Sequence, residues 1–340
     1  MKRQGNLFAR VFSEENLYQA YLDARRGKRH KRACHQFEKS LGANLESMGE
    51  RLRAGSYRPG PYFQFVVHEP KERIIHAPSF KDCVVQHAIY REIYPIFNRT
   101  FIDTSFACRV GMGTHKASEY TQQVLQAHDG DSYTLKLDVR KFFYRIDRAI
   151  LQRLIERKIK DAALVEVMMM FAADDGPVGI PIGNLLSQIY ALIYLNPVDH
   201  FIKRQLKVTH YVRYVDDMLL VGLTRQQCLD HREAIIAFLA DNLNLELSKS
   251  TIQKVKRGVN FVGYRTWRSC KFIRKHSLYK FRKAVKAGNT PAVISLLGHA
   301  RHTNSLQRLL TTAKEIDHAL YCKLPESHRR IHHPQAQRAA

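Results

Sequence analysis

The chain has 340 residues, and its 55 lysines and arginines outnumber its 31 aspartates and glutamates, which gives a formal net charge of +24. A charge this positive attracts polyanions, so nucleic acid is the expected partner, with a merely basic protein as the alternative. The six cysteines form no CxxC pair, which argues against a zinc ribbon or a disulfide framework; no apolar run reaches the ~18 residues of a membrane span, and no signal peptide is expected.

The first third of the chain is predicted to be helical with one hairpin. Residues 1–57 place apolar side chains on one helical face, and the basic run at 25–32 is either a solvated helix end or an RNA-backbone contact. Residues 62–75 alternate in polarity around the turn at 69–72, which predicts a β-hairpin. A further helix is expected over residues 81–97.

The rest of the chain predicts four strands and three helices, followed by a helical C-terminal part. Tyr133 to Asp138 alternates strictly, with Thr134, Lys136 and Asp138 on the polar face. A helix with an apolar stripe of Leu151, Leu154, Ile155 and Ile159 follows, and a Gly/Pro loop at 176–183 leads to a helix at about 185–195. The strands at 211–215 and 218–222 flank an acidic turn. Then come a helix at about 225–242, a loop at 243–250, a strand at 259–267 and seventy basic, helical residues.

Three acidic residues stand at the ends of predicted strands in a chain that uses few acids. Asp138 ends one strand, and Asp216 and Asp217 form the turn of an apolar hairpin. Carboxylates at the ends of adjacent strands converge and repel one another unless cations lie between them. Two Mg²⁺ ions would neutralise the cluster and stabilise both the attacking and the leaving oxygen of a nucleotidyl transfer. An aspartate pair in a turn is by itself a weak signal, since Asp is a favoured turn residue.

The predicted strands that carry these acids lie within a set of four ordered segments. The segments are LKLDVRKFF (135–143), GIPIGNLLSQ (179–188), RYVDD (213–217) and VNFVGY (259–264). In order and spacing they resemble motif A, motif B, the YxDD box of motif C and the primer grip of reverse transcriptases. The hairpin at 62–75 is similar to the fingers of that family, and the resemblance covers roughly residues 55–270. It implies an RNA-directed DNA polymerase that acts on template RNA, a cDNA primer and dNTPs.

The resemblance implies a role for each residue around the metals. Asp138 and Asp216 would bridge two Mg²⁺ ions, for which Mn²⁺ is an expected substitute, and Asp217 would complete the cage. The backbone carbonyl of Val139 would also face a metal. Lys249, which precedes the primer grip, is a candidate for the acid that protonates pyrophosphate, with a solvated lysine as the alternative.

The resemblance also assigns the residues that bind the nucleotide and the duplex. Phe143, five residues after Asp138, matches the sugar gate that favours dNTPs, with plain core packing as the alternative. The other candidate dNTP contacts are Lys71, Arg73, Arg109, Ile182 and Gly183. Each of the three cations has a surface charge or an RNA contact as its alternative role. The candidate template and primer contacts are Gly179, Pro181, Ser187, Gln188, Tyr214, Phe261, Gly263 and Tyr264.

Two departures in motif B narrow the resemblance. Ile182 stands where most reverse transcriptases have Gln, and Ser187-Gln188 stands where they have Ser-Pro. This pattern is similar to reverse transcriptases of diversity-generating retroelements, although Leu186 replaces a usual Thr. Such enzymes copy a template-repeat RNA with errors at adenines and work with a small basic accessory protein. Because Ile182 cannot form the hydrogen bonds of Gln, we expect discrimination against mispairs to fall by ~1–2 kcal/mol.

The resemblance implies an α+β fold, a right-hand polymerase with fingers, a ferredoxin-like antiparallel palm and a helical thumb. The expected bounds are an N-terminal helical extension at 1–57, fingers at 58–132, a palm at 133–262 with a fingers segment at about 150–180, and a thumb with a basic tail at 263–340. The alternative enzyme is a retron-like, group-II-intron-like or phage-defence reverse transcriptase. The alternative from another class is a polymerase-derived RNA-binding protein that has lost catalysis, against which three retained acids argue. The expected location is the cytoplasm of a bacterial, phage or archaeal host cell, without a membrane partner.

Overall fold

The computed structural model describes residues 3–68, 72–173 and 176–329. Its helices are α1 (Phe8–Val11), α2 (Glu14–Ala24), α3 (Arg32–Glu38), α4 (Leu41–Arg53), α5 (Phe80–Asn98), α6 (Thr114–Gln126), α7 (Phe142–Arg145), α8 (Arg148–Glu156), α9 (Ala162–Met170), α10 (Leu185–His200), α11 (Arg225–Leu243), α12 (Lys275–Lys286), α13 (Thr290–Ala300), α14 (Leu306–Ile316), α15 (His318–Lys323) and α16 (Glu326–Arg329). Its strands are β1 (Phe63–Val67), β2 (Arg73–Ala77), β3 (Tyr133–Val139), β4 (His210–Tyr214), β5 (Asp217–Leu223), β6 (Leu247–Lys254), β7 (Val259–Phe261), β8 (Tyr264–Thr266) and β9 (Lys271–Ile273).

The predicted N-terminal helices and the predicted hairpin are confirmed. The Ser13 side chain accepts a hydrogen bond from the backbone N–H of Asn16 and so caps α2. β1 and β2 pair antiparallel, with Phe63 opposite Ala77. Of the turn predicted at 69–72, residues 69–71 lie outside the described residues. In the described part of the chain, no helix is both long enough and apolar enough to cross a membrane.

A four-stranded sheet contains the predicted motif strands, in the order β4-β5-β3-β6. β4 and β5 pair antiparallel, as predicted. In β3 the side chains of Leu135 and Leu137 are buried, as the alternation predicts, but Thr134 on the predicted polar face is also buried. Its hydroxyl donates to the carbonyl of Gln253 at 3.2 Å, and that bond makes the burial of a polar side chain tolerable.

Three details of the predicted secondary structure are wrong. Residues 247–250, predicted as loop, begin β6, whose polar sequence suits an edge strand. The predicted single strand at 259–267 is the hairpin of β7 and β8, because Val262 and Gly263 both have positive φ, 42° and 91°, and reverse the chain. The predicted all-helical C-terminal part contains β9, which pairs with β8.

The chain forms two compact units, each assembled from three stretches of sequence. The first comprises Met1–Cys108, Asp138–Val208 and His231–Lys249, and the second comprises Arg109–Leu137, Thr209–Asp230 and Ser250–Ala340. In the first unit, buried side chains of α5 and α10 form much of the core. In the second unit, β4 and β5 contribute a buried apolar row that includes Leu219 and Leu220.

A glycine in β5 of the second unit has no room for a side chain. Gly222 has a φ of +83°, and an added Cβ would lie 2.0 Å from Cε1 of His128. The His128 ring cannot easily move, because its Nε2 is hydrogen-bonded to Nδ1 of His210 at 2.6 Å. We expect Gly222→Ala to reduce the free energy of unfolding by about 2 kcal/mol, through overpacking and backbone strain. Thermal and urea unfolding measure this loss.

Gly288 is the matched control in the same unit. It has a similar φ of +63°, but nothing lies within 4 Å of an added Cβ. Gly288→Ala is therefore expected to cost only the backbone term, about 1 kcal/mol. Equal losses for the two variants would contradict the predicted clash. Replacing His128 by Ala in the Gly222→Ala background should restore part of the stability.

Candidate active site

A strained two-residue turn in the second unit carries Asp216, whereas Asp217, predicted to share the turn, is the first residue of β5. Tyr214 lies opposite Asp217, so Val215 and Asp216 form the turn between β4 and β5. Val215 has a φ of +54°, which suits a two-residue hairpin but strains a β-branched residue by ~1–3 kcal/mol. Fully buried Arg213 donates from Nη1 to the Val215 carbonyl at 3.0 Å. Backbone strain of this kind concentrates at functional sites.

Asp217 is held by a lysine from the neighbouring strand. Nζ of Lys136, in β3, lies 2.9 Å from Oδ1 of Asp217, and both side chains are about a quarter exposed, at 26% each. The same Nζ lies 5.9 Å from the ring centre of Phe261 in β7. Lys136 therefore links the acidic turn to the predicted primer grip. We missed this role in the sequence, although Lys136 shares the polar face of its strand with Asp138.

Asp138 stands at the end of β3 and is grouped with the first unit. The Ser248 hydroxyl donates to Oδ2 of Asp138 and lies 3.1 Å from its backbone carbonyl oxygen. Lys249, the predicted acid, follows Ser248 in β6, and its side chain is exposed. Val139 is buried, at 2% exposure. Ser248 is a second contact that sequence reasoning missed, because the segment that contains it reads as a polar loop.

The donor chemistry at these strand ends fits a hard divalent cation. In the described part of the chain, no cluster of three His, Cys, Asp or Glu side chains has the geometry of a metal site. The carboxylates of Asp138, Asp216 and Asp217 nevertheless supply only oxygen, which Mg²⁺ prefers. The ammonium group of Lys136 beside Asp217 occupies a position where positive charge is stabilised.

The predicted motif B loop is tied to two other predicted nucleotide-binding elements within the first unit. The backbone N–H of Ile180 donates to the Phe143 carbonyl in α7 at 2.9 Å. The N–H of His76 in β2 donates to the Ile182 carbonyl at 2.7 Å. Gly183, with a φ of +118°, packs so closely that an added Cβ would lie 2.7 Å from Cγ2 of Ile75. The structure thus brings together the loop, the predicted sugar gate and the strand of Arg73.

The helix that follows the loop is capped from two sides. Asn184 accepts at Oδ1 a 2.6 Å hydrogen bond from the backbone N–H of Ser187. Fully buried Gln86, from α5, accepts at Oε1 from the N–H of Leu185 at 2.9 Å. Ser187, predicted to touch the template, is 1% exposed, and its hydroxyl donates to the Pro181 carbonyl at 2.6 Å. Ser187 therefore shapes the loop, and Gln86 is a further supporting residue that the sequence pattern does not reveal.

The predicted primer-grip hairpin is anchored by buried aromatic side chains in the second unit. Phe261 and Tyr264 are each 1% exposed. Burial raises the pKa of Tyr264 to about 12, so its hydroxyl is protonated, and it donates to the His299 carbonyl at 3.0 Å. Nδ1 of His115 lies 3.2 Å from the same hydroxyl oxygen. Gly263, at the turn of the hairpin, is half-exposed.

The remaining predicted residues are buried, accessible to solvent or outside the described chain. Gly179 and Pro181 of the motif B loop are buried. Arg73 opens β2 and is exposed, and Gln188 on α10 is exposed. Tyr214 and Arg109 are half-buried. Lys71 lies outside the described residues. Phe143 is half-buried, unlike its neighbour Phe142, which is core.

Comparison with known proteins identifies the family. The family model described as "Reverse transcriptase (RNA-dependent DNA polymerase)" matches residues 68–266. The chain is 25% identical over 315 residues to protein YkfC of Escherichia coli (strain K12), which covers 76% of this chain and 80% of YkfC. It is 22% identical over 296 residues to the group II intron-encoded protein LtrA of Lactococcus lactis subsp. cremoris, covering 65% of this chain and 49% of LtrA. The chain thus matches about half the length of LtrA.

A solved telomerase from Candida albicans, in complex with a TWJ fragment of telomeric RNA, aligns with a TM-score of 0.46 and 14% identity, over 76% of this chain and 56% of that one. The family match includes the segments that contain Asp138, Asp216 and Asp217. Together with the mixture of helices and antiparallel strands, it confirms the predicted α+β right-hand polymerase fold class. The chain belongs to the reverse transcriptase family of RNA-directed DNA polymerases.

Proposed function

We propose that the chain transfers nucleotides at Asp138, Asp216 and Asp217 by two-metal chemistry. The observation that carries this proposal is their position at strand ends, because Asp138 is the penultimate residue of β3, and β5, its neighbour in the sheet, begins with Asp217. Two bound Mg²⁺ ions, or Mn²⁺ in their place, would stabilise negative charge on the attacking 3′-oxygen and on the leaving pyrophosphate. Lys136 and Ser248 orient two of the three carboxylates.

Nucleotide binding is proposed for three cations, for Phe143 and for the motif B loop. Arg73, together with Lys71 and Arg109, supplies positive charge for the triphosphate. The Phe143 ring lies against the sugar and thereby favours dNTPs. Support comes from the backbone hydrogen bonds that tie the loop of Ile182 to α7 and β2.

Proton transfer and duplex contacts complete the proposed site. Lys249 protonates the leaving pyrophosphate, and its support is the neighbouring Ser248, which contacts Asp138. The proposed template and primer residues are Gln188, Tyr214 and Gly263 by contact, and Gly179, Pro181, Ser187, Phe261 and Tyr264 through the packing that shapes the loop and the hairpin.

We further propose that the enzyme belongs to the diversity-generating class. The support is Ile182, an apolar side chain at a position where a side chain that hydrogen-bonds to the incoming base pair is usual. The backbone carbonyl of Ile182 accepts a hydrogen bond from the N–H of His76, so it does not replace the missing side-chain group. Without that polar check, mispairs opposite template adenines are rejected less well. The proposed template is a template-repeat RNA, and a small basic accessory protein is the proposed partner.

Restoring the polar side chain tests this specificity. We expect Ile182→Gln to lower the error frequency opposite template adenines about tenfold, which corresponds to ~1.4 kcal/mol of added discrimination. The measurement is primer extension on an adenine-containing RNA with dNTPs and Mg²⁺, followed by sequencing of the products. Ile182→Leu is the matched control, because it keeps an apolar side chain, and its error frequency should match that of the wild type. An unchanged adenine error frequency in Ile182→Gln would refute the proposed role.

The similarity to LtrA, a group II intron-encoded protein, favours one second candidate. A group-II-intron-like reverse transcriptase would extend primers in the same assay but copy adenines accurately. Errors concentrated at adenines in the wild-type product therefore support the diversity-generating class, and uniform low error supports the second candidate. Both outcomes keep the polymerase chemistry at the three aspartates.

A further inference from the structure

A cavity of about 710 Å³ lies within the first unit, at the C-terminal ends of α5, α8 and α10. Four cationic side chains line it: Arg99 directly after α5, Arg157 and Lys158 after α8, and Arg204 in the π-helical turn Phe201–Gln205 that follows α10. Its apolar floor includes Phe97 and Ile193. Neither the proposed chemistry nor the motifs account for this cavity.

The positive charge of this cavity is not neutralised by the protein. None of the residues that line the cavity is acidic. Among the described residues, none of the four cations forms a salt bridge with a carboxylate. Three helix C-termini contribute about half a negative charge each, about −1.5 in total against four positive charges. Complementing helix dipoles therefore explains only part of this cluster, and an anionic ligand accounts for the rest.

A polar group at the cavity wall lacks a hydrogen-bond partner. Oδ1 of Asn196 is buried, and no donor in the described chain reaches it. The amide nitrogen of Asn196 lies 3.4 Å from the Thr100 hydroxyl. Nε2 of His200 donates to the Thr100 carbonyl at 3.0 Å. A buried acceptor without a partner costs ~1–3 kcal/mol, so a ligand that carries a donor is favoured. Phosphate oxygens only accept, whereas the 2′-hydroxyl of RNA also donates.

We propose that this cavity binds a single-stranded segment of RNA, at a distance from the template and primer. The proposal rests on the proposed function, which supplies the RNA. α10 begins at Leu185 and borders the cavity from Ile193 to His200, so at 1.5 Å per residue the cavity lies ~12–22 Å along the helix from the motif B loop. A free nucleotide is a poorer fit, because all three helices present carbonyl ends here, whereas compact phosphate sites use the N–H groups of helix N-termini. Side-chain cations on separate segments suit successive phosphates of a strand.

The test compares the binding of two nucleic acids by the full chain, without any catalytic step. One is a blunt RNA–DNA hybrid, and the other is the same hybrid with a long single-stranded RNA extension. The variant is Arg157→Ala with Arg204→Ala, both exposed. The control is Arg153→Ala with Lys160→Ala, which removes the same charge at exposed positions outside the cavity. Affinity is measured by fluorescence anisotropy across a range of salt concentrations.

We expect the cavity variant to bind the extended hybrid about tenfold more weakly than the wild type. The slope of log affinity against log salt concentration should become shallower by ~1.4, the value for two lost contacts with single-strand phosphates. Its affinity for the blunt hybrid should be unchanged, which also shows that it is folded. Equal affinity of the wild type and the cavity variant for the extended hybrid would overturn the proposal, as would an equal loss in the control variant. If millimolar ATP abolishes the difference in affinity for the extended hybrid between the wild type and the cavity variant, the proposal is overturned in favour of a free-nucleotide site. Absence of primer extension would count against the proposed function alone, since this assay needs no catalysis.

Discussion

Asp216→Ala should lose primer extension by about 1,000-fold or more, the equivalent of ~4 kcal/mol of transition-state stabilisation. The reason is that Asp216 occupies the strained turn between β4 and β5, where its carboxylate is the proposed ligand of both metal ions. Asp217 is paired with Lys136 and begins β5, so it does not take the place of Asp216 in the turn. The measurement is single-turnover extension of a DNA primer on an RNA template with dNTPs and saturating Mg²⁺.

Two further variants separate chemistry from folding. Asp216→Asn keeps the size of the side chain and should lose activity nearly as severely, because the amide removes the negative charge. Asp241→Ala, an exposed aspartate near the end of α11, should retain wild-type activity. Hybrid binding that survives in Asp216→Ala would show an intact fold. Extension within tenfold of the wild type in Asp216→Ala would refute the two-metal assignment.

Asp82→Ala is expected to reduce the free energy of unfolding by about 3 kcal/mol, the largest stability loss that we predict. Asp82 is 2% exposed and lies in the first turn of α5, where its charge also complements the helix dipole. Its Oδ1 accepts from the Tyr57 hydroxyl at 2.5 Å. Its Oδ2 accepts from the Ser79 hydroxyl at 2.8 Å and from the Gly60 N–H at 3.1 Å.

Removing this carboxylate leaves several buried donors without an acceptor. Burial and the charge of Asp82 raise the pKa of Tyr57 well above its usual value, so the phenol remains a donor that needs a partner. Tyr57→Phe is the matched control, since it removes a single hydrogen bond and should cost about 1 kcal/mol. Urea unfolding monitored by circular dichroism gives both values. A loss for Asp82→Ala no greater than that for Tyr57→Phe would show that the network does not act as a unit.

The local sequence pattern was sufficient to predict most helices and strands, because their apolar residues recur with a clear helical or strand period. β3 alternates, α5 and α8 carry apolar stripes, and the hairpin of β1 and β2 is rich in β-branched and aromatic residues. The pattern failed where an element depends on a partner elsewhere in the chain. β6 has a polar, loop-like sequence and is a strand because it lies beside β3 at the sheet edge. Ile159, predicted in the stripe of α8, lies beyond that helix and forms a parallel bridge with Gln4.

The sequence by itself determined the family, because motif order and spacing survive in the linear chain. It also determined that a turn joins β4 and β5, since turn chemistry is local, although the turn consists of Val215 and Asp216 and not of the predicted Asp216 and Asp217. Only the tertiary structure decided that Lys136 pairs with Asp217, that Arg213 braces the turn and that Gln86 caps α10. The same holds for the uncompensated cations around Asn196. These contacts join residues far apart in sequence, and the partner of a charge or of a buried amide depends on packing that no local period encodes.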